Sequence, residues 1–287
     1  YFDSYNHQDS LKAIMTELEE LDADLILGPM YSARLLQFSG TEMENVAVNL
    51  ISKQQVVNST NSWNSVVSED VFWAEIKKSF NERYAQEVYD LESETKTKLL
   101  VVGLESGKSA SVTNDLLEGL PTDSYEVIKA DNSWAQNEQL AELDSSVAYD
   151  LVITENDPAF LLDVLRNLRA GNAEYRWYTH EYQAIDNGLV SDVFNDEQVY
   201  LYTSSHVDYD KELVSQFVLN FRKQYNRQPD EFAIEGYDNA FFHLARLQTG
   251  IRKWRGVNKG FEYSIDDPRR NQYVEIRKFE GFKWSLR

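Results

Sequence analysis

The chain has 287 residues, enough for two domains, and its 42% hydrophobic and 13% aromatic content excludes a disordered polymer. With 48 acidic against 28 basic residues the formal charge is −20, which excludes a basic phosphate-binding face and so disfavours nucleic acid and anionic lipid as partners. No apolar run approaches the roughly 20 residues that span a bilayer, and the absence of cysteine removes disulfides, thiolate nucleophiles and Cys-type zinc sites.

No signal peptide is visible, and the abrupt opening Tyr1-Phe2-Asp3 reads as a chain that is processed, truncated or only partly ordered. Tyr1 to Tyr5 reads as a strand. Asp9-Ser10 then offers an N-cap, and Leu11, Ile14, Met15, Leu18 and Leu21 follow at helical spacing. Leu25-Ile26-Leu27 is a short apolar run of the kind buried on both faces of a parallel sheet. Gly28-Pro29 ends it, and Ser32 stands as N-cap to a helix running to about Met43. Strand, sharp turn and helix start together place backbone N–H groups at the carboxyl edge of a sheet, where open α/β folds bind ligands.

Val46 to Ile51 reads as the next buried strand, and the Asn- and Ser-rich stretch from Gln54 to Ser68 as loop. Phe72, Ile76, Phe80, Tyr84 and Val88 step by four along a long amphipathic helix. Leu91 to Thr97 reads as a connection between domains. A second βα series follows, with strands at Leu99–Val102, Tyr125–Ile128, Leu151–Ile153, Tyr175–Tyr178 and Val199–Thr203. Its helices run through Leu116-Leu117, near Glu138–Leu143 and over Phe160–Leu168, the last opened by Asp157-Pro158. Two further helices carry Leu213, Val214, Phe217, Phe221 and Tyr225, then Phe232, Ala233, Gly236, Tyr237, Ala240, Phe241 and Leu244. Beyond Gly250 the pattern is strand and turn.

Gly103-Leu104-Glu105-Ser106-Gly107-Lys108-Ser109 imitates a phosphate-binding loop but has three residues between its glycines instead of four, and Glu105 would oppose a phosphate. His7, His180, His206 and His243 show no zinc-ligand spacing, and His243, among Phe241, Phe242 and Leu244, reads as a helix histidine satisfied in place. No Gly-x-Ser-x-Gly elbow is present, and the carboxylates are too many for one acid–base pair to stand out. The chain therefore reads as no enzyme, with no cofactor. Tyr31, Ser32, Ser52, Glu155, Asn156, His180 and Glu181 all fall at or just past the carboxyl end of an expected strand, and form the candidate ligand-binding set.

Three groups of residues, in this order, resemble the type 1 periplasmic binding proteins, the family of branched-chain amino-acid receptors. They are Asp24-Leu25-Ile26-Leu27-Gly28-Pro29 with Ser32, then Phe217 to Tyr225 with Pro229, then Glu235-Gly236-Tyr237-Asp238-Asn239-Ala240. Gly260-Phe261-Glu262-Tyr263 and Asn271-Gln272-Tyr273-Val274-Glu275-Ile276 resemble a Bacteroidota envelope branch of it, whose members are often joined to peptidoglycan-binding LysM repeats. The resemblance implies two Rossmann-like lobes, each a mainly parallel sheet flanked by helices, joined by three crossovers near Leu91, His206 and Val257. Lobe 1 would take 1–91 and 206–257, and lobe 2 would take 92–205 and 258–287. The family starts with a βα unit before the segment matching Tyr1 to Leu21, which this chain lacks, and the proline usual near the strand at Val46 is also missing.

By the same resemblance, the serine matching Ser32 helps hold a ligand carboxylate at a helix N-terminus. The expected function is a non-catalytic solute-binding module of the periplasm or outer membrane, closing on an amino acid, peptide or cell-wall fragment between its lobes. A lipoprotein anchor and a peptidoglycan link through a segment outside this chain belong to the same expectation. The alternative is a degenerate binding-protein fold serving as an interaction or scaffold subunit, favoured by bulky or charged Lys53 and Glu155 and by six Trp and seventeen Tyr.

Overall fold

A computed structural model describes residues 8–28, 46–50, 62–87, 97–130, 137–185, 198–280 and 283–287. The chain divides into two compact units, 1–68 with 204–273 and 69–203 with 274–287. The breaks at 68/69, 203/204 and 273/274 compare with the crossovers read near Leu91, His206 and Val257. The first differs most because the long helix after Ser68 carries its apolar stripe onto the second unit's sheet. The expected strand Tyr1–Tyr5, the helix from Ser32 to Met43 and most of the Leu91–Thr97 connection lie outside the described residues.

In the first unit, α1 (Gln8–Glu20) precedes β1 (Leu25–Leu27), which pairs in parallel with β2 (Val46–Asn49). Leu18 is buried against Ile14, Ala23 and Ile26. β1 corrects the expectation of burial on both faces: Leu25 and Ile26 are half-buried and Leu27 is exposed. Among the described residues β1 pairs only with β2 and stands at the sheet edge. A second correction falls in the stretch read as loop, where Ser62–Asn64 forms β3, parallel to β2. Its partners make it a strand, since Ser62 and Asn64 are polar yet fully buried, with Asn49 donating to the Asn64 side chain at 3.1 Å.

The rest of this unit comes from far along the sequence. α7 (Glu212–Tyr225) ends on Asn226 and α8 (Glu231–Thr249) on Gly250, both left-handed, as helix C-termini often are. The hairpin β9 (Lys253–Arg255) and β10 (Gly260–Glu262) follows. Asp238 on α8 is buried and accepts from the backbone N–H groups of Val257, Asn258 and Lys259 at 2.7–2.8 Å, fixing the hairpin turn. Gly256 is required there, because a Cβ would lie 2.3 Å from the Asp238 carboxylate. Asn271 ties the two stretches together. Its amide donates to the carbonyls of Ser65 and Gly260 (2.9 and 2.8 Å) and accepts from the N–H groups of Glu262 and Tyr273 (2.9 and 3.1 Å).

The second unit is a seven-stranded sheet in the order β12-β11-β8-β7-β6-β4-β5. Its strands are β4 (Thr97–Leu104), β5 (Tyr125–Ala130), β6 (Ala148–Ile153), β7 (Glu174–His180), β8 (Gln198–Thr203), β11 (Glu275–Glu280) and β12 (Lys283–Leu286). β5, β4, β6, β7 and β8 are parallel, and β11 and β12 are antiparallel additions at the β8 edge. Helices cover both faces: α2 (Glu69–Glu87), α3 (Gly107–Leu117), α4 (Asn137–Ala141), α5 (Pro158–Ala170) and the single turn α6 (Glu181–Ala184). Leu100, Val102, Leu151 and Ile153 pack with Phe160, Val164 and Trp177 in one cluster. Leu99, Val101 and Val152, which point the other way, are equally buried, the pattern of central parallel strands. α2 buries Phe72, Ile76, Phe80 and Tyr84, as its four-residue spacing predicts.

Asn271→Leu removes four hydrogen bonds at once, two of them fully buried, and should cost roughly 3 kcal/mol or more. Hydrogen exchange should place the loss in 62–65 and 254–263 while β4 and β6 keep their protection; equal loss in both units would refute the assignment.

Candidate functional site

Parallel pairing puts the carboxyl ends of β4, β6, β7 and β8 at one edge of the second unit's sheet, and the polar residues of the sequence reading gather there. Glu155 and Asn156 follow β6, His180 is the last residue of β7 and Glu181 opens α6. Tyr31, Ser32 and Ser52, the other three candidates, lie outside the described residues.

The organiser of this edge is Glu69, in the first turn of α2, where the helix dipole favours a carboxylate. Its Oε1 accepts from Trp73 Nε1 (3.1 Å) and Asn156 Nδ2 (3.0 Å), and its Oε2 accepts from Lys108 Nζ (2.6 Å). Burial works to raise its pKa, but hydrogen bonds from Lys108, Asn156 and Trp73 outweigh it and hold the carboxyl below its ordinary value. Beneath lies a floor of hydroxyls. Thr154 Oγ1 is 2.9 Å from both Ser109 Oγ and Thr113 Oγ1, and Ser109 Oγ also accepts from the Leu104 N–H at 2.9 Å. Gly103 makes room for them, since a Cβ there would come within 2.1 Å of Thr154 Oγ1. The glycine of the phosphate-loop imitation thus serves packing.

The remaining candidates are held by their own chain. Glu155 Oε1 accepts from the N–H groups of Asn156 (2.8 Å) and Asp157 (3.3 Å). Gln183 donates to the carbonyls of Ile153 and Glu155 at 2.6 and 3.0 Å, fixing the loop after β6. Glu181 Oε2 accepts from Thr203 Oγ1 at 2.7 Å, which turns it toward β8. Asn156 and His180 are therefore brought together around Glu69 and Trp73, while Glu155 and Glu181 are not. Glu69, Trp73 and Thr154 were missed as site residues; the signal available was the acidic pair Glu69-Asp70 opening a long helix.

His180 is the anomaly. It is fully buried, and among the described residues neither ring nitrogen has a hydrogen-bond partner. Its ring stacks on Phe72 (5.7 Å, 9°) and meets Trp73 and Tyr182 edge-on at 4.6 and 6.0 Å. Burial drives its pKa down to about 3, against a weaker upward pull from Glu69, so the ring is neutral at pH 7.

The first unit contains a serine–histidine pair, with His243 Nε2 2.6 Å from Ser65 Oγ. Both residues are fully buried, and Trp63, Phe242, Phe261 and Tyr263 surround the ring. Among the described residues no carboxylate bonds Nδ1. This is the core histidine that its apolar neighbours predicted, satisfied at one nitrogen. Among the described residues no three His, Asp or Glu side chains are placed to hold a metal ion, and no helix is long and apolar enough to cross a membrane.

No protein-family model matches the sequence, and no curated protein is significantly similar to it. Solved structures are similar in fold. One, from Rhodospirillum rubrum and assigned as a branched-chain amino acid ABC transporter, superposes with a TM-score of 0.67 at 15% identity over 100% of this chain and 86% of its own. The chain has the type 1 periplasmic binding protein fold. An ABC transporter substrate-binding protein from Desulfitobacterium hafniense, solved in complex with Leu, matches at TM-score 0.56 and 12% identity, covering 99% of this chain and 87% of that one. Full-length LpoA from Haemophilus influenzae matches at 0.60 and 11% identity over 100% of this chain but only 52% of its own, so this chain spans about half of LpoA.

A histidine with its folded pKa below the unfolded 6.5 binds fewer protons folded than unfolded, so its stabilising effect is complete above pH 6.5 and is lost as pH falls toward 3. Lowering the pH from 7 to 5 should therefore cost the second unit about 2 kcal/mol through His180. His180→Phe keeps the stacked ring and removes two unpaired nitrogens. It should leave stability at pH 7 unchanged or higher and flatten the urea midpoint between pH 7 and 5; an unaltered acid slope would show that His180 does not titrate in this way.

Proposed function

We propose that this chain is a non-catalytic binding module of the bacterial cell envelope that takes a small polar ligand at the strand ends of its units. The observation that carries the reading is the convergence of Lys108, Asn156 and Glu69 above the Ser109, Thr113 and Thr154 hydroxyls at the carboxyl edge of the parallel sheet. An amino acid or short peptide fits this chemistry, with Lys108, exposed at its head group, free to exchange Glu69 for a ligand carboxylate while Glu69 turns to an ammonium. The other contacts in this reading are Tyr31, Ser32 and Ser52 from the first unit, with Ser32 offering its hydroxyl and the neighbouring N–H groups to an anion. Solute-binding proteins of the same fold, one of them solved with Leu, support it. Localisation in the periplasm or at the outer membrane, with peptidoglycan reached through other segments, belongs to the same proposal.

A second reading has its own observation. Glu155, Asn156 and Glu181 already make internal hydrogen bonds, as expected of an edge whose ligand role has lapsed. The chain would then act as an interaction or scaffold subunit, and the likeness to LpoA supports it.

Calorimetry with amino acids, short peptides and muropeptides separates the two. The first reading expects binding of an anionic ligand that Asn156→Ala weakens by at least tenfold, about 1.4 kcal/mol, and that Ser32→Asp abolishes, while the Asp cap keeps stability intact. Absence of any binder at millimolar concentration, from protein shown to be folded, favours the scaffold reading.

A further inference from the structure

The groove between α7 and α8, in the first unit, has no charged residue in its lining, although 26% of the chain is charged. Its volume of about 360 Å³ is that of a small-ligand site. Along α7 the lining repeats. Leu213, Phe217 and Phe221 each have an amide three positions on, in Gln216, Asn220 and Gln224. Residues three apart on a helix are surface neighbours. Each step therefore sets an apolar side chain beside an amide, and the step recurs every four residues, about 6 Å along the axis.

All three amides are exposed. Gln216 donates to Glu212 Oε1 at 2.8 Å, which orients it, while the side chains of Asn220 and Gln224 make no hydrogen bond with any described residue. An amide carries donors and an acceptor side by side, which suits a hydroxyl that both accepts and donates. The apolar lining is made of rings apart from Leu213 and Ala233. Tyr237 of α8 meets Phe217 at 4.7 Å, and Phe241 and Trp254 extend the row at 6.1 and 5.0 Å. Tyr237 and Phe241 are 38% and 47% exposed. A ring face is the negative pole of its quadrupole and attracts weakly positive C–H groups. The matching occupant is neutral, presents C–H faces and hydroxyls together, and repeats at about the length of the α7 step, which describes a sugar chain. A partner protein fits less well, because the lining lacks the arginine and methionine enriched where proteins meet. An extended peptide repeats every second residue at a similar length, but its side chains require separate pockets and not a row of open rings.

We propose that the α7–α8 groove binds an uncharged, extended oligosaccharide, with its sugar rings on Phe217, Phe221 and Tyr237 and its hydroxyls on Gln216, Asn220 and Gln224. The groove shares no residue with the strand-end set, so this site stands apart from the amino-acid reading. An extended chain of the cellulose or chitin type follows the straight axis of α7. A chain of the amylose type curls away from it.

The test is calorimetric titration of the 287-residue chain with cellotetraose, chitotetraose and maltotetraose, and with the blocked peptide acetyl-Phe-Ser-Phe-Ser-amide. Cellotetraose or chitotetraose should bind with a millimolar or tighter Kd, and maltotetraose more weakly. The double variant Asn220→Ala with Gln224→Ala changes two exposed helix positions to the best helix former, and circular dichroism checks its folding. It should raise the Kd by about fivefold or more, the scale of one or two lost hydrogen bonds. Tyr237→Ala should weaken binding as much, while Tyr237→Phe, which keeps the ring, should retain it. Absence of binding by both extended sugars at millimolar concentration overturns the proposal. So does binding that the amide double variant leaves unchanged, or a peptide that binds more tightly than either sugar.

Discussion

Asn271 makes every hydrogen bond its side chain can make, and the first unit hangs on that fact. An amide offers two donors and two acceptor sites on one short stem. Here the donors meet carbonyls of Ser65 and Gly260, and the oxygen meets N–H groups of Glu262 and Tyr273. Aspartate would lack the donors and leucine would satisfy none of the four. The contact joins residues more than 200 positions apart in sequence, so it fixes where β3 lies against the hairpin of β9 and β10. With β3 placed, Trp63 and Tyr263 can hold the Arg246 guanidinium between them, 3.9 and 4.0 Å from the ring centroids, and Ser65 can reach His243. α8 is thereby set in position relative to the strands.

The second unit relies on a buried charge. Asp150, in the interior strand β6, is fully buried and paired with Arg83 of α2 and with Arg176 of β7, while the Tyr84 hydroxyl donates to it at 3.2 Å. Arg83 also donates to the Tyr178 hydroxyl at 2.7 Å. Removing either arginine would leave Asp150 as an incompletely compensated buried charge, which is the costly change at such a site. The pairing anchors α2 along its length: Arg83 at one end and Glu69, with its three donors, at the other. The polar edge of the sheet is therefore held from a helix that the sequence places before the strands themselves.

Much of this was legible in the sequence, for definable reasons. Strands β4 and β6 and helices α5 and α8 announce themselves through apolar runs and four-residue spacing, because their burial is decided by their own residues. Asp157-Pro158 marked a helix start, and the Asp157 side chain accepts from the Phe160 N–H at 2.9 Å as an N-cap should. β3 was illegible because Ser62-Trp63-Asn64 carries no apolar pattern; its identity as a strand comes from neighbours at distant positions. Glu155 and Glu181 were placed at the right edge, but position along a strand does not say which way a carboxylate turns. The acidic pair Glu69-Asp70 could mark the start of α2, but only the fold brings Lys108 and Asn156 to Glu69. His180 illustrates the reverse, since its location could be read, but not that its ring nitrogens have no hydrogen-bond partner among the described residues.

The pairing of β11 with β8 carries a consequence for how the molecule is made. The seven-stranded sheet receives its last two strands from residues 274–287, after the whole of 204–273 has been committed to the other unit. During vectorial synthesis β8, with Val199 and Leu201 destined for the interior, must wait with an open edge while some 70 further residues emerge. An unpaired apolar edge is a template for wrong strands. The nascent polypeptide is therefore most vulnerable to misassembly in this interval, and a holding chaperone that shields β8 would act on it to greatest effect.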